Sequence, residues 1–345
     1  MKIAIVSPFS ESVPPAKYGG TELVVSNITE NLVTLGHEVV LFAPAGSKTK
    51  AKLVETLPRS LRSMNLKNAQ YGNAVIVTSI GKIAAKLAQE NFDVIHNHVG
   101  WRLLSLEQLI KTPIVTTLHG PLNDDYQNFI YSMYKKSNFI SISLSQRKPM
   151  PELNFVANVY NGIEIDRFPF VEKPQGDYFA FLGRMSPEKG PLQAIMAAKA
   201  ANVKLIMAAK VDAVDRRYFE EQIQPLVDGK QIKFIGEVDH QGKVELLSNA
   251  KALLALIQWE EPFGLFFVES LVCGTPVIAT NRGSVPELIK HGETGFICDN
   301  EEKIIQSIDQ IDRINRAACS NYARENFSAV QMTKGYLSAY KKIIS

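Results

Sequence analysis

The residues best suited to chemistry lie in "EEPFGLFFVESLVCGTPVIA", Glu260 to Ala279. Glu261 stands before a Pro-Phe-Gly turn, and Glu269 sits inside the apolar run that follows. Pro262 is placed like a first-turn helix residue, which puts the amides of Phe263, Gly264 and Leu265 among the helix's unpaired donors. Such donors suit an anion. Glu261 could be no more than an acid at a helix N-terminus, worth about 0.3–1 kcal/mol. Glu269 needs a stronger reason, because a carboxylate among Leu265, Phe266, Val268, Leu271 and Val272 requires a partner. The paired hydroxyls of a sugar would provide one.

Two strand-to-helix loops add further candidates. "FLGRMSPEKG" carries Arg184 and Lys189, a guanidinium fork and a mobile ammonium that suit a diphosphate whose charge grows as a bond to it breaks. A solvated basic loop explains the same two residues equally well. "SPFSESVPPAKYGGTE" places Gly19 and Gly20 just before a helix, where backbone can approach a phosphate or sugar. It is not the G-x-G-x-x-G fingerprint of dinucleotide binding, and that disfavours an NAD-dependent oxidoreductase. His96 and His98, two apart on a strand, share a face and invite metal or nuclease chemistry. No third-ligand cluster or basic surface supports that, so a polar strand end is expected. His119 closes "PIVTTLHG" at another strand terminus, where a site role outweighs a structural one.

The elements that must hold these residues alternate. Strand candidates in the first half are "KIAIVS", "HEVVLFA", "AVIVTS", "DVIHNH", "PIVTTLH", "FISIS" and "FVANVY". Between them lies helical pattern, clearest in "TELVVSNITENLVTLG", with Leu23, Ile28, Leu32 and Leu35 on one face. A Gly-, Pro- and charge-rich linker spans residues 162–176. After it come "YFAFLG", "VKLIMAA", "QIKFIG", "ALLALI" and "PVIAT", and "MTKGYLSAYKKI" reads as a closing helix. The expectation is α/β: two doubly wound parallel-sheet domains in series, with ligands at the carboxyl ends of their strands across a cleft. At 345 residues the length suits two domains. A net charge of +3 argues against nucleic acid. Three scattered cysteines fit a reduced cytoplasm without disulfides. No apolar run is long enough to cross a bilayer, and "MKIAIVSP" is too short and strand-like for a signal peptide. The stretch "SKTKAKLVETLPRSLRSMNLK" sets Lys48, Lys50, Lys52, Arg59, Arg62 and Lys67 against Glu55 alone. A solvated face is the plain reading; docking of an anionic acceptor or lipid head-groups is the sharper one.

Arg184, Lys189 and E-P-F-G-L-x-x-x-E followed by "CGTPVIATNRGSVPELI" resemble the C-terminal half of family-four, GT-B fold, retaining glycosyltransferases. "YGGTE", "DVIHNH", "TLHG" and "YNGIEIDRF" match the same family in the same order, and "ESVPPAKYGGTE" is most similar to its avilamycin-pathway subgroup. The resemblance covers essentially the whole chain. It implies an acceptor-side Rossmann-like domain over residues 1–165, a nucleotide-sugar-binding one over 166–325, and a terminal helix, 326–345, packing back on the first. It implies transfer of a hexosyl unit, with retention, from a nucleotide diphosphate sugar, taken as a UDP-sugar, to a carbohydrate, lipid-linked or small-molecule acceptor. No metal or other cofactor is required. Glu261 would contact the donor sugar with the amides of Phe263, Gly264 and Leu265 nearby, and Glu269 the ribose. Arg184 and Lys189 would hold the diphosphate, the Gly19-Gly20 loop would close over it, and His119 would lie by the transferred sugar. The enzyme is expected in the cytoplasm, in peripheral contact with the inner face of the membrane. A GT-B epimerase and a non-catalytic nucleotide-sugar-binding protein are the alternatives. One departure is "NRGSVPE", where relatives often carry a second glycine.

Overall fold

A computed structural model describes residues 1–16, 19–64, 66 and 68–344. Lys17 and Tyr18 of the first glycine loop and Lys67 of the basic stretch lie outside the described residues. The chain divides into two compact units, Met1–Gly162 joined by the last helix, Ala329–Ile344, and Ile163–Ser328. The division therefore falls at the start of the Gly- and Pro-rich 162–176 segment.

The first unit holds a seven-stranded, wholly parallel sheet. Its strands are β1 (Lys2–Val6), β2 (Glu38–Ala43), β3 (Lys52–Glu55), β4 (Val94–Asn97), β5 (Ile114–Thr117), β6 (Asn138–Ser141) and β7 (Phe155–Asn158). They run in the order β3-β2-β1-β4-β5-β6-β7. Crossovers turn one way from β1 to β3 and the other way from β4 onward, so β1 and β4 flank the point where the order reverses. The second unit repeats the plan with six parallel strands: β8 (Phe179–Arg184), β9 (Leu205–Lys210), β10 (Ile232–Gly236), β11 (Leu253–Ala255), β12 (Val277–Thr280) and β13 (Gly295–Cys298). Their order is β10-β9-β8-β11-β12-β13, with the reversal between β8 and β11. This is the α/β, two-sheet fold that the alternation of elements predicts.

Central strands such as β1, β2 and β4 are almost wholly buried, as strands covered on both faces must be. The structure corrects the reading of three segments. "AVIVTS" is not a strand but part of the helix Ala69–Gln89, capped by Asn68 accepting from Tyr71 N at 2.9 Å. Its β-branched run is outvoted by Ile80, Ile83, Ala84 and Leu87, which share a buried helical stripe. In the helix Gly20–Thr34 the buried face is Val24, Val25, Ile28 and Leu32, while Leu35 is 51% exposed. The basic stretch contains edge strand β3, and its described cations, Lys48, Lys50, Lys52, Arg59 and Arg62, are all exposed. Arg62 pairs with Glu11 at 2.5 Å.

The closing helix Ala329–Ile344 packs on the first unit through Tyr336 and Tyr340, both fully buried, and Tyr340 Oη lies 2.7 Å from His96 Nδ1. Among the described residues, no helix is long and apolar enough to cross a membrane.

Candidate active site

In the second unit the chemistry-bearing residues gather at the carboxyl ends of β8 and β11 and the helix start beyond. Arg184 is the last residue of β8, and Lys189 ends the short turn Pro187–Lys189. Gly190 then begins the helix Pro191–Ala200 at φ +72°, where a Cβ would fall 1.9 Å from Leu256 O. That close approach presses the basic loop against the strand end that leads into Trp259 and Glu261.

The helix carrying Glu269 runs Leu265–Val272, with Gly264 as its N-cap at φ +80°. Pro262 is therefore not a first-turn residue but lies in the loop before the helix. The turn chemistry wins here, because only glycine enters the left-handed region without strain. Of the three amides expected as first-turn donors, only that of Leu265 lies in the helix; Phe266 supplies the next, and Phe267 N donates to Gly264 O at 3.1 Å. Phe263 is a core residue, 1% exposed.

Glu261 is 7% exposed, and one oxygen of its carboxylate, Oε2, takes both of the contacts that follow. It pairs with the Lys189 ammonium and accepts from Trp259 Nε1 at 3.0 Å. Lys189 Nζ also lies over the Trp259 ring at 4.8 Å and the Phe266 ring at 5.5 Å, so two aromatic faces and one carboxylate surround the cation. Glu269, 4% exposed, has a partner the sequence did not announce: Lys243, from the helix His240–Asn249. Arg184 pairs with Glu188 and lies 3.1 Å from the Asp215 carboxylate, without hydrogen-bond alignment. Burial raises the Asp215 carboxyl above the usual range, more than Arg184 lowers it. Every cation assigned to a phosphate thus already holds an acid of the chain.

Breaking such a pair is costly because it strands the buried partner. Lys243→Met is expected to destabilise the second unit by about 3–5 kcal/mol. A urea titration checks this: the midpoint falls with an unchanged slope, whereas an unmoved midpoint would mean that Glu269 finds another partner.

The "NRGSVPE" turn closes the site from behind. Gly283 has φ +54°, and a Cβ there would come within 2.4 Å of both N and O of Glu261. Ser284 donates its amide to Glu261 O at 2.9 Å and its hydroxyl to Phe263 O at 2.8 Å. The serine pins the Glu261 backbone.

The first unit supplies the glycine loop and the histidines. Gly19 precedes the helix Gly20–Thr34, and a Cβ on it would meet Pro15 Cβ at 2.7 Å, so bare backbone is needed there. Glu22, in that helix's first turn, is 5% exposed and accepts from Glu11 N at 3.2 Å. His119 follows β5 by two residues. Its segment is clamped by buried Gln146, whose Nε2 donates to Leu118 O at 2.9 Å and Gly120 O at 2.7 Å. His98 Nδ1 lies 2.8 Å from His119 Nε2, and the His96 and His98 rings are 3.9 Å apart. Among the described residues, no group of three or more His, Cys, Asp or Glu is placed to hold a metal ion.

Burial lowers the His119 imidazole to about 4 and pushes His96 and His98 well below the ordinary 6.5. Between pH 6.5 and 4 the unfolded chain therefore binds protons that the folded chain does not, and stability falls as pH drops through that window. Urea midpoints at pH 7.5 and pH 5 test this. The midpoint should be lower at pH 5; equal values would contradict the neutral state of the three histidines.

Lys243, Trp259, Asp215 and Gln146 were not legible as site residues. Lys243 and Glu269 lie 26 residues apart, and no spacing rule joins them. Trp259 offered one signal, its place two residues before Glu261.

The chain is similar to known proteins over nearly its whole length. The model "Glycosyltransferase Family 4" matches residues 18–167, and "Glycosyl transferases group 1" matches residues 162–326. The phosphatidyl-myo-inositol mannosyltransferase of Mycobacterium tuberculosis is 26% identical over 95% of this chain and 90% of its own length. Two solved structures share the fold. AviGT4, a glycosyltransferase involved in avilamycin A biosynthesis, superposes with a TM-score of 0.72 at 23% identity, covering 99% of this chain and 98% of its own. Anabaena HepE in complex with UDP-glucose gives 0.73 at 19% identity, covering 99% and 100%. The two family models together run from residue 18 to residue 326, and the chain belongs to the GT-B-fold glycosyltransferase family they describe.

Proposed function

We propose that the protein transfers a hexosyl unit from a UDP-sugar to an acceptor hydroxyl with retention of configuration. The observation that carries this reading is the cluster of Lys189, Trp259 and Glu261 beside the N-terminus of the helix that bears Glu269. An incoming diphosphate competes with the Glu261 carboxylate for Lys189. Once Lys189 turns to phosphate, Glu261 is released to accept from donor-sugar hydroxyls, and Glu269, tethered by Lys243, accepts from the ribose. Arg184, Lys189 and the first helical amides, those of Leu265 and Phe266, stabilise charge as the diphosphate leaves. Glu261 and His119 orient the sugar while oxocarbenium character develops. The acceptor hydroxyl enters on the leaving-group face and gives its proton to a phosphate oxygen. No covalent nucleophile is assigned. Gly19 and Gly20 keep the first loop open for backbone approach.

Uridine as the nucleoside draws support from HepE, whose structure holds UDP-glucose. A lipid-linked acceptor draws support from the phosphatidyl-myo-inositol mannosyltransferase. The exposed Lys48, Lys50, Lys52 and Arg59 then serve as an electrostatic contact with an anionic head-group layer. Salt washes of a membrane fraction test that contact; binding indifferent to salt would refute it. The transfer itself is tested by the anomeric configuration of the product, read by NMR after incubation with UDP-hexoses and an acceptor panel. Retention is expected, and an inverted product would contradict the proposal.

A further inference from the structure

Three of the first unit's histidines, His96, His98 and His119, form a chain in which protons can be counted. His96 Nε2 lies 2.7 Å from Thr117 Oγ1 and its Nδ1 lies 2.7 Å from Tyr340 Oη, and because each hydroxyl can donate or accept, either neutral tautomer is satisfied at both nitrogens. His96 is satisfied at both nitrogens, fully buried, and fixed as a platform on which the His98 ring packs at 3.9 Å. His98, 5% exposed, makes one hydrogen bond, Nδ1 to His119 Nε2 at 2.8 Å, and its Nε2 is buried without a partner among the described residues.

One proton must lie between two neutral imidazoles joined in this way. Had His119 Nε2 donated it, His98 would carry a buried, unpartnered N–H. Where His98 Nδ1 donates instead, the unpartnered atom is a bare ring nitrogen, and buried structures tolerate a missing partner on an acceptor better than on a donor. The second arrangement leaves His119 with its own hydrogen on Nδ1, which has no partner among the described residues and belongs to a partly exposed side chain.

We propose that His98 is a positioning residue that donates its Nδ1 hydrogen to His119 Nε2 and thereby holds His119 as the neutral Nδ1–H tautomer, presenting one N–H donor to an oxygen of the donor sugar. This deepens the reading of His119 given above and rests on it for the sugar contact, but the tautomer itself is a property of the free protein. His98 touches no substrate in this scheme. Its effect passes through the ring it orients.

The test has two arms on the full-length protein. In the first, histidine-selective 15N labelling and long-range 1H–15N correlation at neutral pH read the state of each ring. His119 protonated on Nδ1 and bare on Nε2 is expected in the wild type, with that preference lost or mixed in His98→Leu. A wild-type His119 protonated on Nε2, or a pattern unchanged in His98→Leu, overturns the proposal. In the second arm, nucleoside diphosphate release is followed with a UDP-hexose panel. His98→Leu is expected to lower kcat by about 10- to 100-fold with a smaller change in KM. His98→Asn, whose amide N–H can stand in for Nδ1–H, is expected to stay within about threefold of the wild type. Equal losses in the two variants would make the role one of packing and overturn the positioning claim. If the Leu variant does not fold, the wild-type spectrum and the Asn variant decide. An Nδ1–H His119 in a chain that turns over no donor would sink the transferase reading and leave the tautomer assignment standing.

Discussion

Glu261→Ala is expected to slow nucleoside diphosphate release by at least about 10²–10³-fold, the usual scale for losing one preorganised polar group at a developing charge. The same change is expected to destabilise the second unit by about 3–5 kcal/mol, since it strands Lys189, whose side chain is 12% exposed. The rings of Trp259 and Phe266 retain the cation at only about 0.5–2 kcal/mol. Glu261→Gln separates the two effects. Its amide oxygen still accepts from Trp259 Nε1 and faces Lys189 with a dipole, so the stability loss shrinks to about 1–2 kcal/mol while the activity loss persists. Calorimetry with UDP gives the complementary readout. Lys189 no longer has an acid to leave, so UDP binding should survive in Glu261→Ala although turnover does not. A variant that keeps wild-type turnover would remove Glu261 from the mechanism.

Gly283→Ala carries the second large effect, although a glycine has no side chain with which to hold a ligand. At φ +54° an alanine is strained by about 1–2 kcal/mol. Its Cβ would also lie 2.4 Å from the Glu261 amide nitrogen and carbonyl oxygen, and backbone atoms cannot swing aside as a flexible side chain can. Either the turn opens or Glu261 moves. The expected result is a loss of at least about 3 kcal/mol in stability, with turnover in the folded fraction falling towards that of Glu261→Ala. Gly292→Ala is the control. Its φ is +79°, but a Cβ there meets nothing within 4 Å, so only the strain should register and activity should stay. Equal behaviour of the two variants would show that the contact with Glu261 is unimportant.

Much of this architecture was legible because buried parallel strands write themselves as short apolar runs. "KIAIVS", "HEVVLFA" and "PVIAT" are strands β1, β2 and β12. "AVIVTS" was misread for the same reason: β-branched residues carry a strand preference that tertiary packing overrode in the helix Ala69–Gln89. Edge strands β3 and β13 carry little signal in the sequence, because an edge needs neither a long nor a continuous apolar run. At the site, glycines and acids were visible as types, and Glu269 was marked as needing a partner. The partner's identity was hidden because Lys243 comes from another helix and is brought there only by the fold. Placing Pro262 in the helix failed for a local reason, since the left-handed Gly264 starts the helix later.

The most direct test of the transferase reading is nucleoside diphosphate release from a panel of nucleotide sugars, UDP-hexoses first. The wild-type protein should release nucleoside diphosphate from at least one donor, and Glu261→Ala and Arg184→Ala should each lower that rate by orders of magnitude. Tight nucleotide binding with no release from any donor would contradict it.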